Sequence, residues 1–486
     1  MTGRLNAWRA ALGATHVVVA IGGISVLAGC ATPPPATTRP QVTLPAQFSA
    51  SAQTLQSAAA GDSRIGSDWW TLYGDPGLTE LVDATLRNNT DLRLAVARVD
   101  ETAAVLGLAR AAQWPSVELG GSVTRSRIST LNGQPVPSSG AESTSHRIAA
   151  TTSFELDLWG RLRQASAVAQ QQMLAAVYAR DTVRIALAAA TVQAYFGLRS
   201  LDAQLAVNAA QLRSRSDSLG LVERRVAGGV ASTLDAALAR TALSAVRAQA
   251  PDLQRQRGLL QHQLAQLTGQ PELAISPSTA ALNLPATAPP GLPAQLLERR
   301  PDIAQAEAQL SAARFQVEVA RRAIWPTLSL TGTYGSQSAS LADLLKSGAQ
   351  IWSLAPAALL TLFDAGRTQA RTDQARAQAE QAAIGYQKAA LTAFRETADA
   401  LVTAEQNALQ EAEVEVQRTE ANEALRIANR RYEAGYSGFL DVLEAQRSVQ
   451  DAELALVRVR QARLDASVAL IKSLGGGWSE PVDAVK

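Results

Sequence analysis

The side chains on which most enzymes rely are scarce in this chain. Its 486 residues include one cysteine, Cys30, and three histidines, His16, His146 and His262. His146 and His262 fall in different expected elements and no second cysteine joins them. A transition-metal cluster or a Cys–His nucleophile pair therefore has little to be made from, and no phosphate-binding glycine loop is found. What remains is one dense stretch, 430–445, reading Arg-Arg-Tyr-Glu-Ala-Gly-Tyr-Ser-Gly-Phe-Leu-Asp-Val-Leu-Glu-Ala. It sets two glycines, Gly435 and Gly438, and two acids, Asp441 and Glu444, between long Ala- and Gln-rich runs. Glycine takes the positive φ that lets a chain leave one helix and begin another, so the stretch reads as the turn of a helical hairpin. The acids then open the returning helix, where the dipole favours negative charge.

The same stretch occurs earlier, with Arg224-Arg225, the Gly229 of Gly228-Gly229 and Leu234-Asp235 in the same places. Gly435 lies 206 positions after Gly229, and Asp441 lies 206 after Asp235. A repeat of this length means two copies of one large unit, with the two turns side by side.

At the N-terminus, Arg4 and Arg9 precede an apolar run that ends in Leu27-Ala28-Gly29-Cys30. This is the composition of a secretory signal, and the Cys makes it resemble a bacterial lipoprotein signal whose cysteine carries the lipid. About 18 apolar residues followed at once by a triple proline suit cleavage better than a retained membrane helix. Ala31, rather than Asp, after the cysteine resembles the outer-membrane-directed kind. Cleavage would remove residues 1–29 with Arg4 and Arg9, leaving 43 basic against 43 acidic residues. That balance offers nothing to nucleic acid. Beyond lipid on Cys30 no cofactor is expected, and with one cysteine no internal disulfide can form.

Residues 30–67 are Pro-rich and read as a tether, either a leash or a strap over the body. The first copy spans 68–270. A helix over 78–112 stops at Trp114-Pro115. Strands then alternate over 116–127 and 145–158: Ile148, Ala150, Thr152, Phe154, Leu156 and Leu158 share one face, and Ala149, Thr151, Ser153, Glu155 and Asp157 the other. A helix over 161–227 follows, which at 1.5 Å per residue reaches roughly 100 Å. It turns near 228–235 and returns with a kink expected at Pro251. Such a rod needs neighbouring helices to cover its apolar stripe, as in a coiled coil.

A Pro-rich linker, 271–294, precedes the second copy over 295–478, and 479–486 form a tail. The order restarts: a helix ending at Trp325-Pro326, strands within 327–363, and a long helical hairpin with its tip near 432–441. Pro356 places the last strand near an edge or bulge. Ile384, Leu391, Phe394, Ala398 and Leu401 form a heptad-like seam on the second long helix. The Trp-Pro pairs are 211 positions apart and the Gly-Arg pairs ending the hairpins 206 apart, so the first hairpin loop is five residues longer.

The fold is thus mainly α with a β part. Four amphipathic strands of about ten residues suit a tilted membrane crossing. Four strands cannot close a transmembrane barrel, and open edges in lipid leave backbone groups unpaired. A barrel shared by two chains would have eight strands, and one shared by three would have twelve. A soluble sandwich hairpin in a periplasmic α+β protein is the alternative.

Several stretches together resemble the TolC-like outer-membrane factors, in particular the lipoprotein (NodT-type) subunits of resistance–nodulation–division efflux systems. They are Trp69-Trp70 with Asp75-Pro76-Gly77-Leu78, Asn89-Thr90-Asp91-Leu92, the run from Phe154 to Arg161, the run from Leu296 to Ile303, and Tyr432 through Ala445. The resemblance implies a homotrimer with a twelve-stranded barrel in the outer membrane on a periplasmic α-helical barrel. It would be the exit duct of a tripartite pump, passing small molecules such as drugs from an inner-membrane transporter and a periplasmic adaptor. Asp441 and Glu444 match acids that ring the closed periplasmic mouth, and Tyr432 and Asp235 match partners that hold it shut. The turns at Gly228, Gly229, Gly435 and Gly438, with Arg225 and Arg431, would meet the adaptor. Ser437 stands where some family members have Arg, so the full set of closing contacts is not carried over. Three chains would bring six carboxylates to a narrow ring, which favours cations. A type I secretion channel and a non-conducting coiled-coil scaffold lipoprotein are the rival readings.

Overall fold

The structure is a computed structural model that describes residues 39–42, 45, 66–131, 140–280, 284–285 and 296–478. The expected signal, Cys30, most of the tether, most of the linker from 281 on and the tail from 479 lie outside the described residues. The chain forms two compact units, and each draws on both sequence copies. The first holds Glu101–Met173 and Ala308–Ile384; the second holds Leu174–Glu307 and the chain from Gly385, with residues preceding Glu101. Among the described residues no helix is long and apolar enough to cross a membrane.

The first unit is built on one antiparallel sheet. Its strands are β1 (Ser116–Arg127), β2 (Glu142–Glu155), β3 (Thr327–Ser338) and β4 (Gln350–Leu359), in the order β1-β2-β3-β4. The register sets Leu119 opposite Ala150, Ala150 opposite Tyr334, and Tyr334 opposite Trp352. One face therefore carries Val117, Leu119, Val123, Ile148, Phe154, Leu328, Leu330, Trp352 and Leu354. The other carries Ser116, Glu118, Ser122, Thr124, Thr151, Ser153, Thr331, Thr333 and Ser353. The period-two alternation read from sequence holds across β1, β2 and β3, whereas the second face of β4 carries Ile351, Ala355, Ala357 and Leu359 beside Ser353. Pro356 does lie in an edge strand, where a missing N–H is tolerated.

Two strands end sooner than the sequence suggests. β2 stops at Glu155 rather than residue 158, and β4 at Leu359 rather than Phe363. Leu359 pairs with Thr327, the first residue of β3, and Pro326 before it has no N–H to continue the ladder. Where β2 ends, the Trp159 ring stacks on Trp325 with centroids 5.1 Å apart. Trp159 Nε1 donates to the Pro326 carbonyl at 2.8 Å, and Arg322 donates to the Trp159 carbonyl at 2.9 Å. These contacts join the end of one hairpin to the start of the other.

In the N-terminal part the single helix expected over 78–112 is two helices, α1 (Pro76–Asn88) and α2 (Thr90–Ala111). Asn89 breaks the run because its side chain caps α2, accepting from Asp91 N at 2.8 Å and Leu92 N at 3.3 Å. The long helices α3 (Arg161–Ala227) and α7 (Arg367–Glu433) return as α4 (Thr233–Thr268) and α8 (Phe439–Ser473). Between them lie the short α5 (Leu296–Arg299) and α6 (Pro301–Arg322), and α4 continues through Pro251.

The core of the second unit gathers Trp69, Trp70, Tyr73, Leu78, Val82, Val192, Tyr195, Phe196, Val468 and Ile471. Each large side chain buried there contributes roughly 1.5–3 kcal/mol. Asp75 fixes the start of α1, accepting from Gly77 N at 2.8 Å, and its other oxygen takes the Tyr195 hydroxyl at 2.5 Å. Buried Arg300 ties the second copy, donating at 2.7 Å to Asp302 and Glu396 and at 2.9 Å to the Ser473 carbonyl.

The buried seam on α7 is not the one expected. Tyr386, Ala390, Ala393, Thr397 and Ala400 are buried, at spacings of four, three, four and three, whereas Ile384 and Leu391 are exposed. Phe394, Ala398 and Leu401 are half-buried against Leu296, Leu470 and Leu474. Small residues let helix backbones approach closely, so the seam is chosen by Ala and Thr and the larger apolar face stays uncovered within one chain.

Asp465 of α8 has one buried carboxylate oxygen without a hydrogen bond. Burial pushes its pKa up to about 6, with a weak opposing bond from Gln461. The native state therefore holds this proton to higher pH than the unfolded chain does, so stability falls as pH rises from about 4 to about 6 and stays lower above. Asp465→Asn should stabilise the protein at pH 7 by about 1 kcal/mol once solvent screening is allowed for. Thermal unfolding at pH 7 and pH 4 should show that gain shrinking at the lower pH.

Candidate functional site at the hairpin tips

The two turns have the same backbone design. At the end of α3, Gly228 N, Gly229 N and Val230 N donate to the carbonyls of Arg224, Val226 and Arg225. At the end of α7, Ala434 N, Gly435 N and Tyr436 N donate to those of Arg430, Tyr432 and Arg431. Gly229 (φ 71°) and Gly435 (φ 78°) occupy the left-handed position that closes each helix.

A shared apolar core holds the tips side by side: Val222, Ala236, Ala239, Tyr432, Phe439, Val442 and Leu443 are buried together. Arg225 Nη1 donates to the Tyr432 carbonyl at 2.9 Å, and its guanidinium lies 4.6 Å over the Tyr432 ring. The ring also meets Phe439 at 5.7 Å. The Tyr432 hydroxyl is buried and has no hydrogen-bond partner among the described residues. Burial raises its pKa, opposed by the charge of Arg225 and reinforced by that of Asp235.

The four candidate gate residues are thus differently placed. Asp235 N donates to Ser232 Oγ at 3.1 Å, and the Asp235 carboxylate accepts from Ser232 N at 3.1 Å, closing a capping box. It makes no bond to Tyr432 within the chain. Asp441, the equivalent residue of the second copy, follows Gly438, which has no side chain with which to cap α8. Its carboxylate is exposed and has no hydrogen-bond or ion-pair partner among the described residues. Glu444 is also exposed and lies 3.2 Å from Arg447 of its own helix. Arg431 is exposed, while Arg225 is turned inward onto Tyr432.

Two features escaped the sequence reading. Val230 and Leu234 are exposed at the first tip, and their equivalents Tyr436 and Leu440 are exposed at the second. The signal was available in the shared offset of 206, since apolar residues kept outside at both turns mark a contact surface. Farther from the tip, buried Arg215 of α3 donates to Gln446 Oε1 at 2.5 Å and leaves Nε unpaired. Among the described residues no group of His, Cys, Asp or Glu could hold a metal ion.

Comparisons with known proteins agree with this architecture. The model of the outer membrane efflux protein family matches residues 81–270 and 292–476. A probable efflux pump outer membrane protein of Pseudomonas putida, TtgC, is 33% identical over 460 residues, 94% of each chain. Outer membrane protein OprJ of Pseudomonas aeruginosa is 34% identical over 466 residues, 94% of this chain and 95% of its own. The crystal structure of the CmeC outer membrane channel of Campylobacter jejuni superimposes with a TM-score of 0.86 at 25% identity, covering 92% of this chain and 95% of that one. With its paired strands, its long helical hairpins and a match over most of its length, the chain belongs to the outer membrane efflux protein family.

Proposed function

We propose that the chain is the outer-membrane exit duct of a tripartite efflux pump, working as a homotrimer with a periplasmic adaptor and an inner-membrane transporter. The observation that carries this reading is the division of the sheet into an apolar and a polar face with two open edges. Strands of this kind suit lipid on one side and a wet lumen on the other. Lipid on Cys30 would add an anchor in the outer membrane. The cargo would be small molecules such as drugs, conducted passively, with energy supplied by the transporter.

The tips would form the periplasmic gate. Asp441 and Glu444 point outward from α8 with their carboxylates unburied, which supports a ring of charge where copies converge. The unpaired Tyr432 hydroxyl, with Asp235 close enough to raise its pKa, supports a closing contact that a neighbouring hairpin completes. The exposed pairs Val230 with Leu234 and Tyr436 with Leu440, around the turns at Gly228, Gly229, Gly435 and Gly438, support the adaptor contact.

In planar bilayers the purified protein should give small, cation-selective steps, and Asp441→Ala with Glu444→Ala should enlarge them or remove the selectivity. Steps unchanged by the variant would move the gate off these acids. Silence from the wild type, the variant and a tip-truncated form alike would remove the duct itself. A charge at the contact surface should act on coupling alone. Val230→Asp or Leu440→Asp should leave conductance intact and weaken capture of the adaptor by roughly tenfold, read by titrating adaptor onto immobilised protein.

A further inference from the structure

Where the strands give way to helices, the starts of α3 and α7 and the last turns of α6 enclose a groove of about 460 Å³. That volume lies within the roughly 300–1,000 Å³ of small-molecule sites. α6 lines it with Gln316, Ala320 and Ala323, at spacings of four and three. α7 lines it with Arg371, Gln374 and Gln378, at spacings of three and four, so each helix turns one face to the groove. Buried Ala375 forms part of its floor, and Arg161, the first residue of α3, completes the wall. Among the described residues two guanidinium groups and three amides line the groove, and no carboxylate does.

Both arginines have donors to spare. Arg161 reaches the two oxygens of Glu155 from Nη2 alone, at 2.8 Å, which leaves Nε and Nη1 for a further acceptor. Arg371 is exposed and makes no hydrogen bond or ion pair with the described residues. Asp364, which precedes α7, is already engaged: its Oδ2 accepts from Thr368 N at 2.8 Å and from Thr368 Oγ1 at 2.6 Å. Glu155 offsets one guanidinium and leaves the other, so the groove is positive. It also opens toward the polar side of the sheet, because Glu155 follows Thr151 and Ser153 on that face of β2 and Arg161 is bound to it. Lipid headgroups, which would meet the apolar face, are therefore not the source of its anion.

Resting on the outer-membrane duct proposed above, we infer that this groove is a binding station for small organic anions in transit. The anionic group meets Arg371 and the free nitrogens of Arg161, whose planar forks match a carboxylate. The amides of Gln316, Gln374 and Gln378 take the polar substituents, and the apolar body lies against Ala320, Ala323 and Ala375. The acids proposed at the tips act on ions leaking through a closed mouth; the groove acts on cargo already inside.

Dansylglycine, an aromatic carboxylate, and dansylamide, its neutral counterpart, test this on the full-length oligomer in dodecyl maltoside, read by fluorescence anisotropy over a protein-free micelle blank. Dansylglycine should bind roughly tenfold more tightly than dansylamide, and Arg371→Gln should remove that preference. Arg371→Lys, which keeps the charge and loses the fork, should retain part of it. Arg376→Gln, on another face of α7 and paired with Asp373, should leave it intact. Equal binding of the two dyes, a preference that survives Arg371→Gln or is lost equally in Arg376→Gln, or no binding of either dye would overturn the groove. Conductance steps from the same preparation would then leave the duct standing. No steps from the wild type or a tip-truncated form would overturn the duct, and with it passage of anions by this groove, even where dansylglycine bound as expected.

Discussion

An unpaired backbone N–H or C=O in hydrocarbon loses several kcal/mol relative to water, and that constraint shapes the β part of this chain. A four-stranded sheet has two edges, and here both are long, exposed and apolar on one face. In water such edges would be an aggregation hazard. In a membrane they are tolerable only inside a closed ring. One such edge is met by the chain itself, since the closing strand of the first hairpin pairs with the opening strand of the second. Within the chain that junction is secured by the Trp159–Trp325 stack and by Arg322 on the Trp159 carbonyl.

The helical part solves a different problem with the same economy. The two helices of 67 residues are nearly twice as long as the helices of 36 and 35 residues that return from them. Beyond Tyr386 the buried stripe on α7 is made of small residues, while Val402, Leu409 and Val416, seven apart, stay exposed. Seven-residue spacing is the seam of a supercoiled contact. The membership of an outer-membrane efflux family gives those stripes a setting in which further helices surround them.

At the tips, duplication has been followed by divergence at a single point of physics. Ser232 caps α4 and engages Asp235, whereas Gly438 offers α8 nothing and leaves Asp441 unengaged. Two acids at equivalent positions therefore have different surroundings: one carboxylate is engaged within its own helix, and the other is exposed. Tyr432, held by Arg225 and Phe439, keeps a buried hydroxyl without a partner among the described residues. A polar atom in that state is most stable when a further group or an ordered water supplies the missing bond.

The sequence by itself determined the duplication, the helical hairpins, the four strands, their two faces and the family, because each is written in local periodicity, in glycine placement or in motifs at fixed offsets. Only the tertiary structure decided which residues those elements bury. The heptad of Ile384 and Leu391 looked like the seam, yet Ala390, Ala393 and Thr397 occupy it, since helix approach depends on the partner's surface and not on one helix's hydrophobicity. The end of β4 at Leu359 likewise depends on a distant neighbour, because Pro326 before Thr327 has no N–H to continue the ladder; the Asn89 and Ser232–Asp235 caps are instead local bonds over two and three residues, written in the sequence. Periodicity says which way a side chain points; what it meets there is set by the rest of the chain.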